Sequence, residues 1–136
     1  MNEERIEFLI EQANEARAHA YAPYSNFRVG AALLTKSNKL YLGCNIENAS
    51  YTPTNCAERT AIFKAVYDGE REFEAIAIVS DGRNATAPCG VCRQVLAEFC
   101  EPSMPVICAN MEGNYKILTL EELIPMAFTK EDMEKI

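Results

Sequence analysis

Two cysteines three residues apart, Cys89 and Cys92, are the strongest chemical signal in the sequence. They stand in the run Pro88-Cys89-Gly90-Val91-Cys92, which is predicted to open a helix. Residues three apart on a helix share one face, so both sulfurs can bind one metal ion. The N-terminus of a helix also favours thiolates through its dipole and its free N–H groups. A catalytic zinc site further needs a third protein ligand and an open coordination position.

The third ligand is predicted to be Cys56, in the run Asn55-Cys56-Ala57-Glu58-Arg59, which opens the preceding helix. Residues two apart do not face each other along a regular helix, so Cys56 and Glu58 can approach one metal only beyond the helix end. We therefore expect zinc between the N-termini of two helices. Three thiolates give zinc an excess of negative charge, which opposes ionisation of a bound water. Arg59 can donate hydrogen bonds to thiolate sulfur and offset that charge.

Each of these residues also has a simpler interpretation. Glu58 could form a capping box with Asn55. The paired cysteines could be a redox dithiol, although a redox motif does not require Cys56 or Glu58. A purely structural zinc site would need a fourth ligand, which Cys100 or Cys108 could supply. Both have apolar flanking residues, however, and buried core cysteine is the favoured interpretation for each.

Helices and strands alternate in the elements that must position these residues. The predicted helices are 2–20, 56–67, 89–99 and 120–123, and the predicted strands are 27–34, 39–46, 75–79, 105–109 and 115–118. Apolar residues at a 3.6-residue period indicate the first helix, and the polar turn at 35–38 indicates a hairpin. The alternation predicts a three-layer α/β/α sandwich with a mixed five-stranded sheet. Both cysteine motifs should then lie at the same side of the sheet.

Composition and charge exclude several classes of protein. The 136 residues fit a single domain, 1–136, and the net charge of −7 comes without any basic stripe. Nucleic acid and membrane surfaces are therefore not expected partners. No secretory leader or membrane span is visible in the sequence, so we expect a cytoplasmic protein. In a reducing cytoplasm the six cysteines should be ligands or core residues rather than disulfides.

Four runs together resemble cytidine deaminases of the short, single-zinc class. Nucleobase zinc deaminases combine three His or Cys ligands, a Glu that is not a ligand and a Pro-Cys-x-x-Cys. The resemblance covers nearly the whole chain and is carried by residues 22–33 (APYSNFRVGAAL), 45–51 (NIENASY), 56–61 (CAERTA) and 88–94 (PCGVCRQ). It implies a cytidine deaminase-like fold and one zinc ion per chain.

The resemblance also implies a set of substrate-binding residues. Asn45 and Glu47 match residues that bind ribose hydroxyls, a task that suits an amide and a carboxylate. Phe27 matches an aromatic residue that packs on the pyrimidine ring.

Further implied contacts involve main chain and a second subunit. The main chain around Ala49 and Ala57 helps to read the base edge, and Tyr51 belongs to the same substrate-binding set. Phe128 matches a residue that stacks on the base from a neighbouring subunit, because this class is similar to known homotetramers.

The implied reaction is hydrolytic deamination of free cytidine and deoxycytidine to uridine and deoxyuridine, in pyrimidine salvage. Zinc lowers the pKa of its water, hydroxide attacks C4, and Glu58 shuttles protons. Three alternatives remain open: a deaminase of nucleic acid, a deaminase of a cytosine-bearing antibiotic, and a structural-zinc interaction module. The acidic charge disfavours the first, and an antibiotic deaminase would have little use for the ribose pair Asn45 and Glu47.

Overall fold

Five strands form one mixed sheet in the order β2-β1-β3-β4-β5. The computed structural model describes residues 1–134. Its elements are α1 (Glu3–Arg17), β1 (Val29–Thr35), β2 (Leu40–Cys44), α2 (Ala57–Tyr67), β3 (Phe73–Ser80), α3 (Gly90–Phe99), β4 (Pro105–Asn110), β5 (Tyr115–Thr119), α4 (Leu120–Leu123) and a 3₁₀ turn at Lys130–Met133. The predicted hairpin is the antiparallel pair β1–β2, and β3 and β4 are parallel.

Helices cover both faces of this sheet. Helix α1 buries its apolar stripe against one face, in a cluster that includes Leu9, Ala13, Ala32 and Ala77. Alternate residues of the same strands point to the opposite face, where they pack with α2 and α3; this cluster includes Ala31, Leu33, Ala61, Ile62, Ile76, Ile78, Leu96 and Val106. The predicted three-layer α/β/α sandwich with a mixed five-stranded sheet is therefore confirmed.

Strand direction brings the chemically interesting segments to one end of the sheet. Strands β3 and β4 run parallel, and β1 is antiparallel to both β2 and β3. Strand β1 thus begins where β2, β3 and β4 end, with Val29 opposite Ser80 and Gly30 opposite Cys44. We call this the carboxyl end of the sheet. The segment before β1, the loop from β2 to α2 and the loop from β3 to α3 all lie there.

One glycine sets how closely α2 approaches the sheet. A Cβ on Gly43 would lie 2.3 Å from the Ala57 carbonyl oxygen and 2.6 Å from the Ala61 nitrogen. Any side chain at this position of β2 would push the first turn of α2 away. Gly43 therefore helps to fix the helix start that carries Cys56 and Glu58.

Four predicted element boundaries are wrong by two or three residues. Strand β2 ends at Cys44 rather than at residue 46, and β3 begins at Phe73 rather than at residue 75. Helix α1 ends at Arg17 rather than at residue 20, because the following turn leads Tyr21 into a bridge with Ile46. His19 is therefore an exposed turn residue and not part of the helix. Strand β1 begins at Val29 rather than at Phe27. Within residues 1–134, no helix combines the length and the apolar character needed to cross a membrane.

Candidate active site

Helices α2 and α3 both begin at a cysteine whose thiol is not used as a cap. Cys56 and Cys89 are the N-cap residues, with extended backbone and no side-chain capping hydrogen bond. Cys92 lies in the first turn of α3 and is fully buried. The sulfurs of the three cysteines all lie within 4.8 Å of one another, and those of Cys56 and Cys89 are 3.8 Å apart.

This donor set fits a catalytic zinc ion. Tetrahedral zinc with Zn–S bonds of about 2.3 Å places its sulfurs roughly 3.8 Å apart, which the Cys56–Cys89 separation matches. Among residues 1–134, no further His, Cys, Asp or Glu joins the group. Cys100 ends α3 and Cys108 is buried in β4, so neither supplies the fourth ligand of a closed structural site. Three thiolates with one open position are the pattern of a catalytic site.

Glu58 is a buried carboxyl group in the first turn of α2, only 4% exposed. Burial is the main cause that raises its pKa to about 7, and the charge on Cys56 adds to the rise. The capping-box interpretation is wrong, because the N-cap is Cys56 and the Asn55 amide instead donates to the Thr60 hydroxyl at 3.1 Å. The Glu58 carboxyl instead lies within hydrogen-bonding reach of the Cys92 thiol and of its own main-chain N–H.

Arg59 supplies positive charge to the sulfurs. Its guanidinium donates a hydrogen bond to the Cys56 sulfur at 3.3 Å. This is the contact that we expected to offset the negative charge of the three thiolates. A hydrogen bond from Cys92 and then those from Arg59 and Cys89 lower the pKa of Cys56 to about 5. The same pairing with Cys56, together with burial, raises the pKa of Cys92. The site therefore stabilises thiolate at Cys56, and thiolate is the form that binds metal.

Asn45 and Glu47 both organise the segment that precedes β1. The Asn45 amide accepts from the Val29 N–H and donates to the Phe27 carbonyl, each at 2.9 Å. The Glu47 carboxylate accepts from the main-chain N–H groups of Tyr24 and Ser25 at 3.0 Å and from the Ser25 hydroxyl. The hydrogen bond from the Ser25 hydroxyl is the main cause of the lowered pKa of Glu47. Glu47 is therefore held in its carboxylate form.

The other expected substrate residues differ in their placement. Phe27 is partly exposed at the carboxyl end of the sheet, and Ala57 is buried in the first turn of α2. Ala49 and Tyr51 are exposed in the loop before α2, with Tyr51 89% exposed. Phe128 is 63% exposed, and its carbonyl accepts from the Gln94 amide at 2.7 Å. The single chain therefore places Phe27, Asn45 and Glu47 at the same end of the sheet as the cysteine group, and leaves Tyr51 and Phe128 open to solvent.

Sequence reasoning missed three residues that support this site. Arg93 donates to the carbonyls of Pro88 and Leu123, each at 2.7 Å, and so ties the loop before Cys89 to α4. Ser25 holds Glu47, and Asp81 contacts the segment before β1. A signal for Asp81 was available, since it directly follows a wholly apolar strand, at the end of the sheet where α/β folds place their sites.

Comparison with known proteins places the chain in a family. Residues 3–108 match the family described as "Cytidine and deoxycytidylate deaminase zinc-binding region". A protein named Cytidine deaminase from Sporosarcina psychrophila is 55% identical over 128 residues, which cover 94% of each chain. The crystal structure of cytidine deaminase from Burkholderia pseudomallei superposes with a TM-score of 0.88 at 50% identity, over 94% of this chain and 100% of that one.

A more distant relative is named after an antibiotic, the substrate class of the second alternative above. A protein named Blasticidin-S deaminase from Bacillus cereus is 32% identical over 130 residues, 90% of this chain and 91% of that protein. The likeness extends across nearly the full length in every case. With a donor set that suits one zinc ion, the chain belongs to the cytidine and deoxycytidylate deaminase family and carries its zinc-binding region.

Proposed function

We propose that this protein hydrolytically deaminates free cytidine and deoxycytidine, with zinc held by Cys56, Cys89 and Cys92 and with Glu58 as the proton carrier. The observation that carries the proposal is a buried carboxyl beside three clustered thiols, with no fourth ligand among the described residues. The 55% identity to a protein named Cytidine deaminase supports the substrate. Conversion of cytidine to uridine and ammonia by the zinc-loaded chain tests it.

Glu58 carries the proton transfers in this mechanism. Zinc bound by the three thiolates supplies Lewis-acid activation of a water molecule. Glu58 accepts a proton from that water and delivers it to N3 of the base as oxygen adds to C4. Glu58 then takes the remaining hydroxyl proton and passes it to the amino group. The C4–N bond breaks, ammonia leaves, and C4 becomes the carbonyl of uridine. A carboxyl group with a pKa near the working pH suits both transfers.

The substrate residues complete the proposal. Phe27 packs on the pyrimidine ring, Asn45 and Glu47 bind ribose hydroxyls, and the loop with Ala49 and Tyr51 contacts the base together with the main chain at Ala57. The net charge of −7 disfavours polynucleotides, so the substrate is a free nucleoside and the role is pyrimidine salvage. The ribose-binding pair also favours a nucleoside over an antibiotic that lacks a ribose.

Glu47→Ala tests the ribose assignment. The variant should raise KM for cytidine about 10- to 100-fold, the range expected for a lost hydrogen bond to a charged group, with a smaller change in kcat. Steady-state kinetics with cytidine and with 2′,3′-dideoxycytidine measure this. The parent should bind the dideoxy analogue poorly. The variant should prefer cytidine to the analogue by a smaller factor than the parent does, because only the Asn45 contact with the ribose remains.

The dideoxy comparison separates ribose binding from loop support, because Glu47 also holds Tyr24 and Ser25. A Glu47→Ala variant that loses as much affinity for the dideoxy analogue as for cytidine would remove the ribose assignment.

A homotetramer with shared sites is part of the proposal. Phe128 and Met126 are exposed in the single chain, which leaves an apolar tail free to contact a neighbouring subunit. Light scattering should give four times the chain mass of 15.2 kDa. Phe128→Ala should keep that mass and raise KM for cytidine.

Mixed assemblies give the sharper form of this prediction. Subunits with Glu58→Ala retain Phe128, and subunits with Phe128→Ala retain Glu58. Co-assembly of the two should restore low-KM sites, because each variant supplies what the other lacks. Independent behaviour of the two variants in the mixture, or an active monomeric parent, would contradict shared sites.

Location and domain structure follow the same proposal. All six cysteines lie within residues 1–134 and are free, which suits the reducing cytoplasm. We place the enzyme there, with residues 1–136 as one domain.

A further inference from the structure

Asp81, the first residue after β3, is bonded to the segment that presents Phe27. Its carboxylate accepts from the Arg28 N–H at 2.9 Å, and its own N–H donates to the Arg28 carbonyl at 3.0 Å. These two bonds extend the β1–β3 pairing by one residue, with the carboxylate in place of a main-chain carbonyl. The position of Arg28, and of Phe27 next to it, therefore depends on a side chain.

Two side chains hold this segment from opposite sides. Strand β1 lies between β2 and β3, Asn45 follows β2, and Asp81 follows β3. Asn45 binds the Phe27 carbonyl and the Val29 N–H, while Asp81 binds both main-chain groups of Arg28. Three consecutive residues, from Phe27 to the first residue of β1, are thus fixed by side chains.

The ring of Phe27 packs next to the turn that Asp81 opens. A Cβ placed on Gly82 would lie 3.6 Å from Cζ and 3.7 Å from Cε1 of the ring, which is ordinary van der Waals contact. The Ser80 hydroxyl accepts from the Gly82 N–H at 3.0 Å and holds the same turn. Movement of the 80–82 turn would therefore move the surface on which the ring rests.

Helix α1 also holds the Asp81 carboxylate in place. The Arg17 guanidinium at the end of α1 pairs with its carboxylate, and Arg17 is itself oriented by Asn14, whose oxygen accepts from Arg17 Nε at 3.0 Å. The Arg17 side chain is only 12% exposed, so this ion pair is largely shielded from water. Arg28 adds a longer contact at 3.3 Å.

We propose that Asp81 is a positioning residue for substrate binding, which with Arg17 fixes the ring of Phe27 where the pyrimidine packs. The inference rests on the proposed function, in which Phe27 contacts the base. A carboxylate is required because it accepts from three donors, namely the Arg28 N–H, Arg28 Nε and the Arg17 guanidinium. An asparagine has one acceptor oxygen and would turn its NH₂ group toward a cation or an N–H.

Asp81→Asn tests the proposal through kinetics. It should raise KM for cytidine about tenfold, with little change in kcat, because the ring is displaced while zinc, Glu58 and Arg59 are untouched. The matched control is Glu70→Gln, which removes another partly buried carboxylate that pairs with Lys39 at 3.3 Å, near the opposite end of the sheet. The control should leave KM unchanged.

A double-mutant cycle shows whether Asp81 acts through Phe27. In a Phe27→Ala background, Asp81→Asn should add little to KM, because the ring that it positions is gone. Arg17→Gln gives a second route that leaves the loop sequence intact, and its KM effect should likewise disappear without Phe27. Effects of Asp81 that multiply with those of Phe27, or an unchanged KM in Asp81→Asn, would overturn the proposal.

A substrate-free measurement keeps the inference separate from the proposed function. The chain has no tryptophan, so a Phe27→Trp variant carries a single indole reporter. Asp81→Asn should lower the fluorescence anisotropy of that indole, and Glu70→Gln should not. Failure of the parent to deaminate cytidine would count against the proposed function, whereas an indole unaffected by Asp81→Asn would overturn the positioning role.

Discussion

Replacement of Glu58 by alanine should leave zinc bound and lower cytidine turnover by about 10²- to 10⁴-fold, the contribution typical of general acid–base catalysis. Glu58 is buried and is not one of the three clustered cysteines, so its removal should not release the metal. The measurements are uridine formation and zinc content per chain.

Glu58→Gln is the conservative partner of this variant. It keeps the volume and a hydrogen-bonding group but cannot accept and return a proton at neutral pH. It should therefore be as inactive as the alanine variant. Two results would contradict the assigned role: a zinc-loaded variant that retains turnover, or loss of zinc from Glu58→Ala, which would make Glu58 a ligand.

Removal of one sulfur ligand should have the second large effect. Cys89→Ala is the best choice because Cys89 is exposed, so its truncation leaves little cavity in the core. The variant should contain much less than one zinc per chain and form no measurable uridine. Stabilisation by a bound metal is about 4 kcal/mol when free metal exceeds its Kd a thousandfold. The melting temperature should accordingly fall by roughly 10–20 °C.

A matched cysteine makes this result specific. Cys44 lies in β2, outside the group of three, and Cys44→Ala should keep zinc and activity. The Cys89→Ala variant should melt at the temperature of the chelator-treated parent, because both lack the metal. A variant with full zinc content and the melting temperature of the parent would rule out Cys89 as a ligand.

The fold and the cysteine group could be predicted because they depend on local patterns. The apolar periods place the helices and strands, and the spacing of Cys89 and Cys92 at a helix start puts two sulfurs on one face. Convergence with Cys56 then follows from strand direction, since β2 and β3 end at the same end of the sheet.

The details that depend on tertiary contacts could not be predicted. Rules for helix starts favour Asn over Cys as the N-cap, so they assign the cap of α2 to Asn55 rather than to Cys56. The end of α1 is set by the bridge between Tyr21 and Ile46, residues 25 apart in sequence. The ion pair of Arg17 with Asp81 spans 64 residues and has no local signature.

The most direct test of the central claim is the reaction of the purified chain with cytidine as zinc is titrated into the chelated protein. Uridine and ammonia should appear in equal amounts, and the rate should rise linearly with metal and level off at one zinc per chain. A chain that binds one zinc and forms no uridine would contradict the account, because the metal group would then serve some other substrate or none.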